Sequence, residues 1–294
     1  MKLFRDIFRL FGTGFTHEQY YKSMNMALRK LNNEHTMLHY PYFKNENDTF
    51  SQAQQNLTDY CVSLLNTLEN KKILEIGCGN GIQAIYINSN YKPLTIIGID
   101  LNKSNIEIAN NEKNQTKLNN VSFFVDDAQN LKNIASNSID TILNIESAFH
   151  YPDKQAFLKE VHRVLKPGGE FLIADILSTR KKREGIMKIW GKKMIYNFWN
   201  KKSYDEGFKR SDLIVKYEED ITHQVRKGWS IYHKWLPKIK KKGFFESIAF
   251  RLFYYINVKL NVYFLKNRQQ YLIFVGQKTA KSILPGAQHP GMLL

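Results

Sequence analysis

Short apolar runs that alternate with amphipathic stretches dominate the middle of the chain. Five runs have the length and the aliphatic or aromatic content of buried strands. They cover residues 73–76, 94–99, 121–125, 141–145 and 170–177. Between them, apolar residues recur at helical spacing over 82–89, 104–114 and 154–165. This alternation predicts an α/β fold in which helices cover both faces of a doubly wound, mostly parallel sheet.

The regions on either side of this core have different patterns. Residues 16–70 are expected to be helical apart from a break near Pro41, with Ser51 capping a helix that runs to about Leu68. Further strands are predicted at 212–217 and 271–277. The chain is therefore divided into a helical N-terminal cap or lid (1–70), the core (71–178), a basic, aromatic-rich, mostly helical region with one core strand (179–268), a final core strand (269–278) and a disordered tail (279–294).

The net charge of +16 is concentrated outside the core. Residues 71–178 hold 11 Lys and Arg against 12 Asp and Glu, whereas residues 180–242 hold 19 against 7 and all four tryptophans. The basic character therefore belongs to an appendage. Cys61 and Cys78 form neither a metal-binding pattern nor a disulfide framework, so we predict no metal site and a cytoplasmic location.

Two features bear on membranes. No apolar run approaches the roughly 18 residues of a membrane span. Residues 1–15 place Phe4, Ile7, Phe8 and Phe11 on one helical face with basic residues off it, a pattern typical of a helix on a membrane surface. A helix docked on its own domain is the alternative, and the sequence slightly favours that alternative.

A glycine turn follows the first predicted strand. The strand ends in Glu75, and three glycines then alternate at Gly77, Gly79 and Gly81. Glycine tolerates positive φ and lets a ligand lie directly against the backbone. Nineteen residues after Gly81, the second strand ends in Asp100, where a carboxylate can accept hydrogen bonds from a ribose. The pattern predicts a nucleoside-binding site.

Two kinds of nucleoside cofactor fit this pattern. Residues 79–84 match the dinucleotide motif with alanine as its last residue. A dinucleotide turn, however, needs backbone amides that are free to meet a pyrophosphate. The charge of Glu75, just before the first glycine, disfavours a pyrophosphate and suits a ligand that carries an ammonium or sulfonium group.

The run Glu-Ile-Gly-Cys-Gly-Asn-Gly at 75–81 resembles the first motif of the class I S-adenosylmethionine-dependent methyltransferases. The resemblance implies a Rossmann-like, seven-stranded sheet whose last strand is antiparallel, with S-adenosyl-L-methionine as cofactor. It assigns the amino-acid part and the ribose to the glycine turn, both ribose hydroxyls to Asp100, one adenine face to Leu101, and the adenine edge to an Asp-Ala pair, with Asp126 as the alternative acid. The predicted cofactor-binding residues are Glu75, Gly77, Gly79, Gly81, Asp100, Leu101, Asp127, Ala128 and Asn144.

The segment after strand four distinguishes subfamilies. Residues 146–153, Glu-Ser-Ala-Phe-His-Tyr-Pro-Asp, are similar to the Glu-Ser/Ala-x-x-His-x-x-Asp segment of methyltransferases that act on sterols, tocopherol-type quinols, isoprenoid diphosphates and phthiotriolone lipids. They lack the Asn/Asp-Pro-Pro-Tyr of enzymes that methylate bases or glutamine. Residues 38–43 resemble the lid segment of the same group, with Pro41 where glycine is usual. The implied reaction is C- or O-methylation of a lipophilic small molecule.

A base is needed if a hydroxyl is methylated or if carbon methylation must lose a proton. His150 and Glu146 are the candidate catalytic residues, because imidazole titrates near neutral pH and burial can raise a carboxylate pKa towards it. A packed histidine and a carboxylate that only binds ligand are the alternatives. Tyr40, Tyr42 and Tyr151 are the predicted substrate-binding residues, with an aromatic core as the alternative.

The basic, tryptophan-rich region has three possible roles. It can hold nucleic acid through phosphates and base stacking, lie on an anionic membrane, or form a solvated charged face. The segment after strand four and the N-terminal helix favour a lipophilic substrate that is reached at a membrane, in which case the protein is peripheral on the inner membrane surface. An RNA methyltransferase is the second hypothesis, and a non-catalytic, cofactor-binding relative is the third.

Overall fold

The structure is a computed structural model that describes residues 16–32, 34–179, 194–232 and 244–279 of the 294-residue chain. The amphipathic helix predicted at 1–15 lies outside these ranges, as does the predicted tail after residue 279. Parts of the basic region, 180–193 and 233–243, also lie outside them. The division of the chain into cap, core and basic region stays a prediction.

Seven strands form one sheet in the order β3-β2-β1-β4-β5-β7-β6. They are β1 (Lys72–Ile76), β2 (Thr95–Asp100), β3 (Val121–Val125), β4 (Ile139–Ile145), β5 (Leu165–Ser178), β6 (Leu213–Asp220) and β7 (Gln269–Lys278). The pairs among β1 to β5 are parallel, and β7 is antiparallel to both β5 and β6. The predicted fold class is therefore confirmed: a mostly parallel α/β sheet of the Rossmann-like type, with its last strand antiparallel.

The helices lie between and beyond these strands. They are α1 (His17–Asn32), α2 (Phe50–Ser63), α3 (Ile82–Tyr91), α4 (Lys103–Thr116), α5 (Lys154–Val164), α6 (Lys201–Arg210), α7 (Thr222–Tyr232) and α8 (Phe244–Asn267), with one 3₁₀ turn at Ala148–His150. In the described part of the predicted basic, mostly helical region 179–268, the helices are α6, α7 and α8, and the strand is β6.

Both faces of the sheet are buried. Successive residues of β1 enter different apolar clusters, Ile73 on one face and Leu74 on the other. The same alternation holds for Leu143 and Ile142 in β4, as the two-residue period of a strand requires. Burial on both faces explains why these strands are nearly continuous apolar runs in the sequence.

One predicted cap was wrong. Thr49, not Ser51, caps α2: its side chain accepts a hydrogen bond from the Gln52 amide at 3.2 Å, and the Gln52 side chain accepts from the Thr49 amide at 2.8 Å. This reciprocal pair satisfies two of the amides that a helix start leaves unpaired. The helix also ends at Ser63 rather than near Leu68.

The topology directs attention to one edge of the sheet. From β1 the chain continues to β2 and β3 on one side, and β4 then pairs with β1 on its other side. Ligands of open parallel sheets bind outside the carboxyl ends of the strands where the order reverses in this way. The glycine turn after β1 and the segment after β4 both lie at that point.

Candidate active site

A cavity of about 640 Å³ opens at the carboxyl ends of β1, β2, β3 and β4. Its walls come from the glycine turn, from the segments that follow β2, β3 and β4, and from α1 and residues 37–39. Nine of the predicted site residues line it: Gly77, Gly79, Asp100, Leu101, Asp127, Ala128, Glu146, His150 and Tyr151. Five do not: Glu75, Gly81, Asn144, Tyr40 and Tyr42.

The glycine turn is held by its own amides. The amides of Gly77 and Cys78 donate to the Ile99 carbonyl at 2.8 and 2.9 Å, and the Gly79 amide donates to Asp100 Oδ2 at 2.9 Å. A pyrophosphate needs such amides to be free. The geometry therefore disfavours a dinucleotide and agrees with the expectation drawn from Glu75.

Gly81 has a packing role. It adopts a φ of 77°, and a side chain there would place its Cβ 2.6 Å from the Cβ of Ala109. Real Cβ atoms do not approach so closely, so glycine lets the start of α3 pack against α4. This explains why Gly81 lies behind the cavity wall.

Two acids, Asp100 and Asp127, lie where the cavity is lined by the glycine turn and by the segments after β2 and β3. We call this part of the cavity the nucleoside end. The Asp100 carboxylate also accepts from the Asn102 amide at 2.7 Å, and burial raises its pKa. Asp127 uses Oδ1 to accept from both nitrogens of Gln129, and among the described residues its Oδ2 has no hydrogen-bond partner. The Asp126 carboxylate instead accepts from the Asp127 amide and from Asn133 through its two oxygens. The geometry thus favours Asp127 over Asp126 for a ligand.

Buried polar atoms without partners provide a test of whether S-adenosylmethionine fits. Glu75 Oε2, Gln83 Nε2 and Asn102 Nδ2 are buried and make no hydrogen bond with the described residues. Burial, with the nearby Asp100, raises the pKa of Glu75 to about 8. One unsatisfied acceptor with the charge to match an ammonium, and two unsatisfied donors to match carboxylate or ribose oxygens, suit an amino-acid nucleoside. The residues fit this cofactor.

Asn144 joins the end of β4 to the glycine turn. Its Nδ2 donates to the Ile76 carbonyl at 2.9 Å, and the hydroxyl oxygens of Ser147 and Tyr151 lie 2.6 and 2.9 Å from it. The Ser147 side chain also occupies the space that a Cβ at Gly77 would fill. Asn144 therefore shapes the cavity wall from behind.

His150 lies at the other end of the cavity and is held in one tautomer. Its Nδ1 is 3.0 Å from the Met194 carbonyl, which can only accept, so Nδ1 carries the proton. Its Nε2 is 2.6 Å from the Tyr21 hydroxyl, which must therefore be the donor. Burial lowers the pKa of His150 well below its usual value and raises that of Tyr21 well above its usual value.

His17, one turn before Tyr21 on α1, completes this end of the cavity. Its Nε2 lies 3.2 Å from His150 Nδ1, and the two rings meet edge to face. Tyr21 and His17 both line the cavity. Neither was among the residues predicted from the sequence.

Buried polar contacts fix the 3₁₀ turn that presents His150. The Phe149 amide donates to Asp175 Oδ1 at 3.0 Å, and the Asn197 side chain donates to the carbonyls of Tyr151 and Pro152 at 3.0 and 2.9 Å. The fully buried Lys154 pairs with Asp175 at 3.5 Å. A buried pair of this kind adds little net stability but favours one arrangement of its surroundings, here the backbone around His150.

Glu146 is buried at the cavity wall in an unusual backbone conformation. Its φ is 53°, a left-handed value that is rare outside glycine. The conformation is fixed because its amide donates to the Ala174 carbonyl at 2.8 Å and its Oε1 accepts from the Tyr40 amide at 2.6 Å. Burial raises the pKa of Glu146 to about 8. Strain that is maintained in this way concentrates at functional sites.

The two predicted lid tyrosines turn away from the cavity. Tyr40 offers its amide to Glu146, but its ring packs edge to face on Trp229 and its hydroxyl donates to Asn261 Oδ1 at 2.7 Å. Tyr42 stacks on Tyr60 with 5.4 Å between ring centroids. Both rings contribute to the aromatic packing that was the alternative prediction, so the structure places neither of them on the substrate side.

Comparison with known proteins agrees with this geometry. A family model described as a methyltransferase domain matches residues 68–236, more than half of the chain. The chain belongs to this family. The matched region includes the whole of the glycine turn, the acids Asp100 and Asp127, and the segment from Asn144 to Tyr151.

Two curated relatives and one solved structure are similar to this methyltransferase-family chain. A fatty-acid O-methyltransferase of Mycolicibacterium smegmatis is 41% identical over 108 residues, which is 37% of this chain and 38% of that protein. A phthiotriol/phenolphthiotriol dimycocerosates methyltransferase of Mycobacterium tuberculosis is 38% identical over 109 residues, 37% of this chain and 39% of that protein. A putative sarcosine dimethylglycine methyltransferase from Galdieria sulphuraria has a TM-score of 0.74 at 16% identity, covering 87% of this chain and 98% of that one.

The chain spans little more than a third of the length of these two curated relatives. The solved structure, at 16% identity, supports the fold. The predicted family and fold are therefore confirmed, and the reaction of this particular chain rests on its own residues.

Proposed function

We propose that the protein is an S-adenosylmethionine-dependent methyltransferase that methylates a hydroxyl of a neutral, lipophilic small molecule. The observation that carries this proposal is the hydrogen-bonded series Tyr21–His150–Met194, which enters the same cavity as the nucleoside-binding acids. An acid-bounded nucleoside site explains the cofactor, and a neutral base at the other end of the cavity explains why a hydroxyl is the acceptor.

When bound, S-adenosylmethionine supplies a methyl group on a sulfonium, which a nucleophile attacks in line. Glu75, which lies outside the cavity lining, would accept from its ammonium through the unpartnered Oε2, and Asp100 would accept from the ribose hydroxyls. Asp127 Oδ2 would accept from the adenine amino group, and Leu101, 69% exposed at the rim, would cover one face of the base. These contacts align the reactants and exclude water, which is most of what such a displacement requires.

The proton of the acceptor has a defined route. Tyr21 already donates its own proton to His150 Nε2, so its oxygen can take the acceptor proton as its own proton moves to that nitrogen. The resulting imidazolium keeps the Nδ1–H bond to the Met194 carbonyl. Because burial lowers the pKa of His150, the imidazole stays neutral in mildly acidic solution, and the same shift makes it a weaker base.

The charge of the cavity selects the acceptor. Among the described residues, its lining includes five carboxyl groups and no lysine or arginine. They belong to Glu18, Asp100, Asp126, Asp127 and Glu146, of which Glu146, with a pKa of about 8, is mostly protonated at pH 7. A phosphate or a carboxylate would be repelled at this wall, and a carboxylate would need no base to react. An alcohol or a phenol meets both conditions, and the apolar part of the lining, including Met37, Leu38, Ile145 and Ile195, accommodates a hydrocarbon body.

An anionic membrane surface is the proposed place at which such an acceptor is reached. The outer face of α8 exposes Tyr255, Ile256, Leu260 and Tyr263 by 42–48%, with the exposed Lys259 between them. Aromatic and aliphatic side chains beside lysine suit the headgroup region, where each basic residue contributes about 1 kcal/mol. Within the described ranges no helix is both long and apolar enough to cross a bilayer.

Vesicle co-sedimentation tests the membrane part. The protein is expected to sediment with vesicles that contain phosphatidylglycerol and to remain in solution with phosphatidylcholine alone. Leu260→Asp should weaken binding, while Leu94→Asp, at a leucine that is 60% exposed before β2, should not. Equal sedimentation of all three proteins would reject α8 as the contact.

Methyl-labelled S-adenosylmethionine tests the reaction itself. The protein is incubated with the label and a whole-cell extract of its source, and the products are separated into organic-soluble, nucleic-acid and protein fractions. We expect label in the organic phase, in a product that resists mild alkaline hydrolysis as an ether does. Label in nucleic acid would favour the RNA hypothesis, and a hydrolysable methyl ester would overturn the hydroxyl acceptor. Cofactor binding without any labelled product would support the non-catalytic relative.

A further inference from the structure

Helix α1, which carries Tyr21, is held against the core mainly by buried hydrogen bonds rather than by apolar packing. Few of its described side chains are apolar and buried, Leu28 at 7% exposure being the main one. Its most deeply buried described side chain is instead the amide of Asn25, which is 1% exposed. A buried amide in a helix is costly unless each of its polar atoms has a partner.

Every polar atom of the Asn25 side chain has such a partner. Its Nδ2 donates to the Tyr21 carbonyl at 3.1 Å and to Asn105 Oδ1 at 3.0 Å, and its Oδ1 accepts from Asn80 Nδ2 at 2.8 Å. One amide therefore connects three elements: the turn of α1 that bears Tyr21, the glycine turn and the first turn of α4.

The two partners extend the network to the nucleoside end of the cavity. Asn80, 2% exposed, also donates to the Thr36 carbonyl at 2.8 Å and accepts from the Ile82 amide at 3.3 Å. The Asn105 side chain is 3% exposed and lines the cavity together with Asp100. Through Asn25, hydrogen bonds thus join the glycine turn, whose Gly79 amide donates to the acid assigned to the ribose, to the backbone of Tyr21.

The chemistry of this series depends on asparagine. Each amide both donates and accepts, so neither an acid nor an apolar residue of similar size can satisfy all the neighbours. Networks of this kind are stable only when every member is satisfied, and they then specify one arrangement of the elements that they join. The arrangement specified here is the one in which the Tyr21 hydroxyl lies 2.6 Å from His150 Nε2.

We propose that Asn25 is a positioning residue that couples the cofactor site to Tyr21, through hydrogen bonds to Asn80 of the glycine turn and to Asn105 at the cavity wall. A ligand that fixes Asp100 and the glycine turn favours the docked position of α1, and an undocked α1 leaves His150 without its donor. The inference rests on the proposed function for the identity of the ligand and of the reaction.

Hydrogen exchange of the α1 amides tests the coupling without turnover. In the wild-type protein, S-adenosylhomocysteine is expected to slow exchange over residues 17–32 by roughly tenfold, within the usual range of coupling between sites. In Asn25→Leu the same ligand should bind but leave these amides unchanged. Asn88→Leu is the matched control, because Asn88 is buried on α3 outside the network.

The transfer rate provides a second, independent measurement. At saturating cofactor, Asn25→Leu should lose about 10- to 100-fold in the single-turnover rate while the KM of the acceptor changes less than threefold, a split typical of a misplaced base. Asn88→Leu should retain the wild-type rate. If circular dichroism shows that Asn25→Leu is unfolded, Asn25→Ala, which removes both donated bonds with less change of volume, takes its place.

The outcomes separate the two proposals. If S-adenosylhomocysteine slows exchange of the α1 amides equally in the Asn25 variant and in the wild type, the proposed coupling is wrong, whatever the acceptor proves to be. The same holds if binding leaves α1 exchange unchanged in the wild type. Failure of S-adenosylhomocysteine to bind the wild type at all would instead overturn the proposed function and, with it, the basis of the coupling.

Discussion

The two ends of the cavity are built in different ways. The nucleoside end comes from strand ends and turns whose contacts are close in sequence, such as the Gly79 amide and Asp100. The acceptor end combines α1, the segment after β4 and the carbonyl of Met194, which are more than 40 residues apart along the chain. On the proposed function, local sequence determines where the cofactor binds, whereas docking of α1 determines whether transfer occurs. Substitutions at the two ends should separate binding from catalysis.

The largest expected effect is at the acceptor end. Tyr21→Phe removes the hydroxyl that donates to His150 and should lower the transfer rate by about 100-fold or more, the usual contribution of a positioned acid or base. The affinity for S-adenosylhomocysteine should stay within twofold of wild type. Single-turnover rates and calorimetric titration measure the two quantities. Tyr20→Phe on the same helix is the control, and equal loss in both variants would argue against a specific role for Tyr21.

At the nucleoside end, Asp100→Ala should have the opposite signature. Hydrogen bonds to a charged group contribute about 1.5–3 kcal/mol, so loss of the ribose contacts should weaken S-adenosylhomocysteine binding by about 10- to 100-fold. Glu107→Gln, at an exposed acid of α4, controls for loss of negative charge and should bind as wild type does. Unchanged affinity of the Asp100 variant would show that Asp100 does not bind the ribose.

The pH dependence of binding sharpens the same comparison. With a pKa of about 8, Glu75 is mostly protonated at pH 7 in the free protein, and a ligand ammonium lowers that pKa. Binding then releases a proton, so affinity should increase by up to about tenfold per pH unit between pH 6 and 8. Calorimetry in buffers of different ionisation enthalpy measures the released proton. Glu75→Gln should bind more weakly and without this pH dependence, and a steep dependence in that variant would exclude Glu75 as the source.

The same raised pKa values have a consequence for stability. In the free protein, Glu75 and Glu146 bind protons in the folded state between their unfolded pKa of about 4.5 and their folded value of about 8. The free energy of unfolding should therefore fall as pH rises through that window. Urea denaturation at pH 5 and pH 8 measures the change, which should shrink in the Glu75→Gln variant. A stability that rises over this range would contradict the direction of both shifts.

The smallest effect is expected at Tyr42. Its ring stacks on Tyr60, away from the cavity, and its amide donates to the Ala53 carbonyl at 2.8 Å. Tyr42→Leu should leave the KM of the acceptor within about twofold and lower stability by about 1 kcal/mol, as loss of an aromatic pair does. A large rise in the KM of the acceptor would indicate that Tyr42 contacts the substrate.

Sequence reasoning reached the nucleoside end because its signals are local. The spacing between the glycine turn and Asp100 and the alternation of strands and helices are properties of short segments, and the structure has the predicted order of elements. It did not reach Tyr21, because nothing in the helical pattern of 17–32 shows which tyrosine faces inward. The polar Asn25, four residues after Tyr21 in an otherwise docked helix, was the available signal.

Tyr40 and Tyr42, predicted to bind the substrate, do not line the cavity. The segment around Pro41 does border the site, but it contributes the Tyr40 amide to Glu146 rather than its rings. A backbone donor has no signature in residue type. Which face of an irregular segment meets a cavity depends on contacts with α2, α7 and α8, all distant in sequence from Glu146 at the end of β4.

The position of β7 has a consequence for how the protein is made. Because this strand lies between β5 and β6 and is the last strand in the described part of the chain, both neighbours are synthesised with an unpaired edge facing solvent. Exposed edges of this kind are sites of aggregation. The nine-residue pairing of β5 with β7 can form only after the whole of β7 has left the ribosome. Nascent chains that stall before this strand should therefore depend on a chaperone to remain soluble.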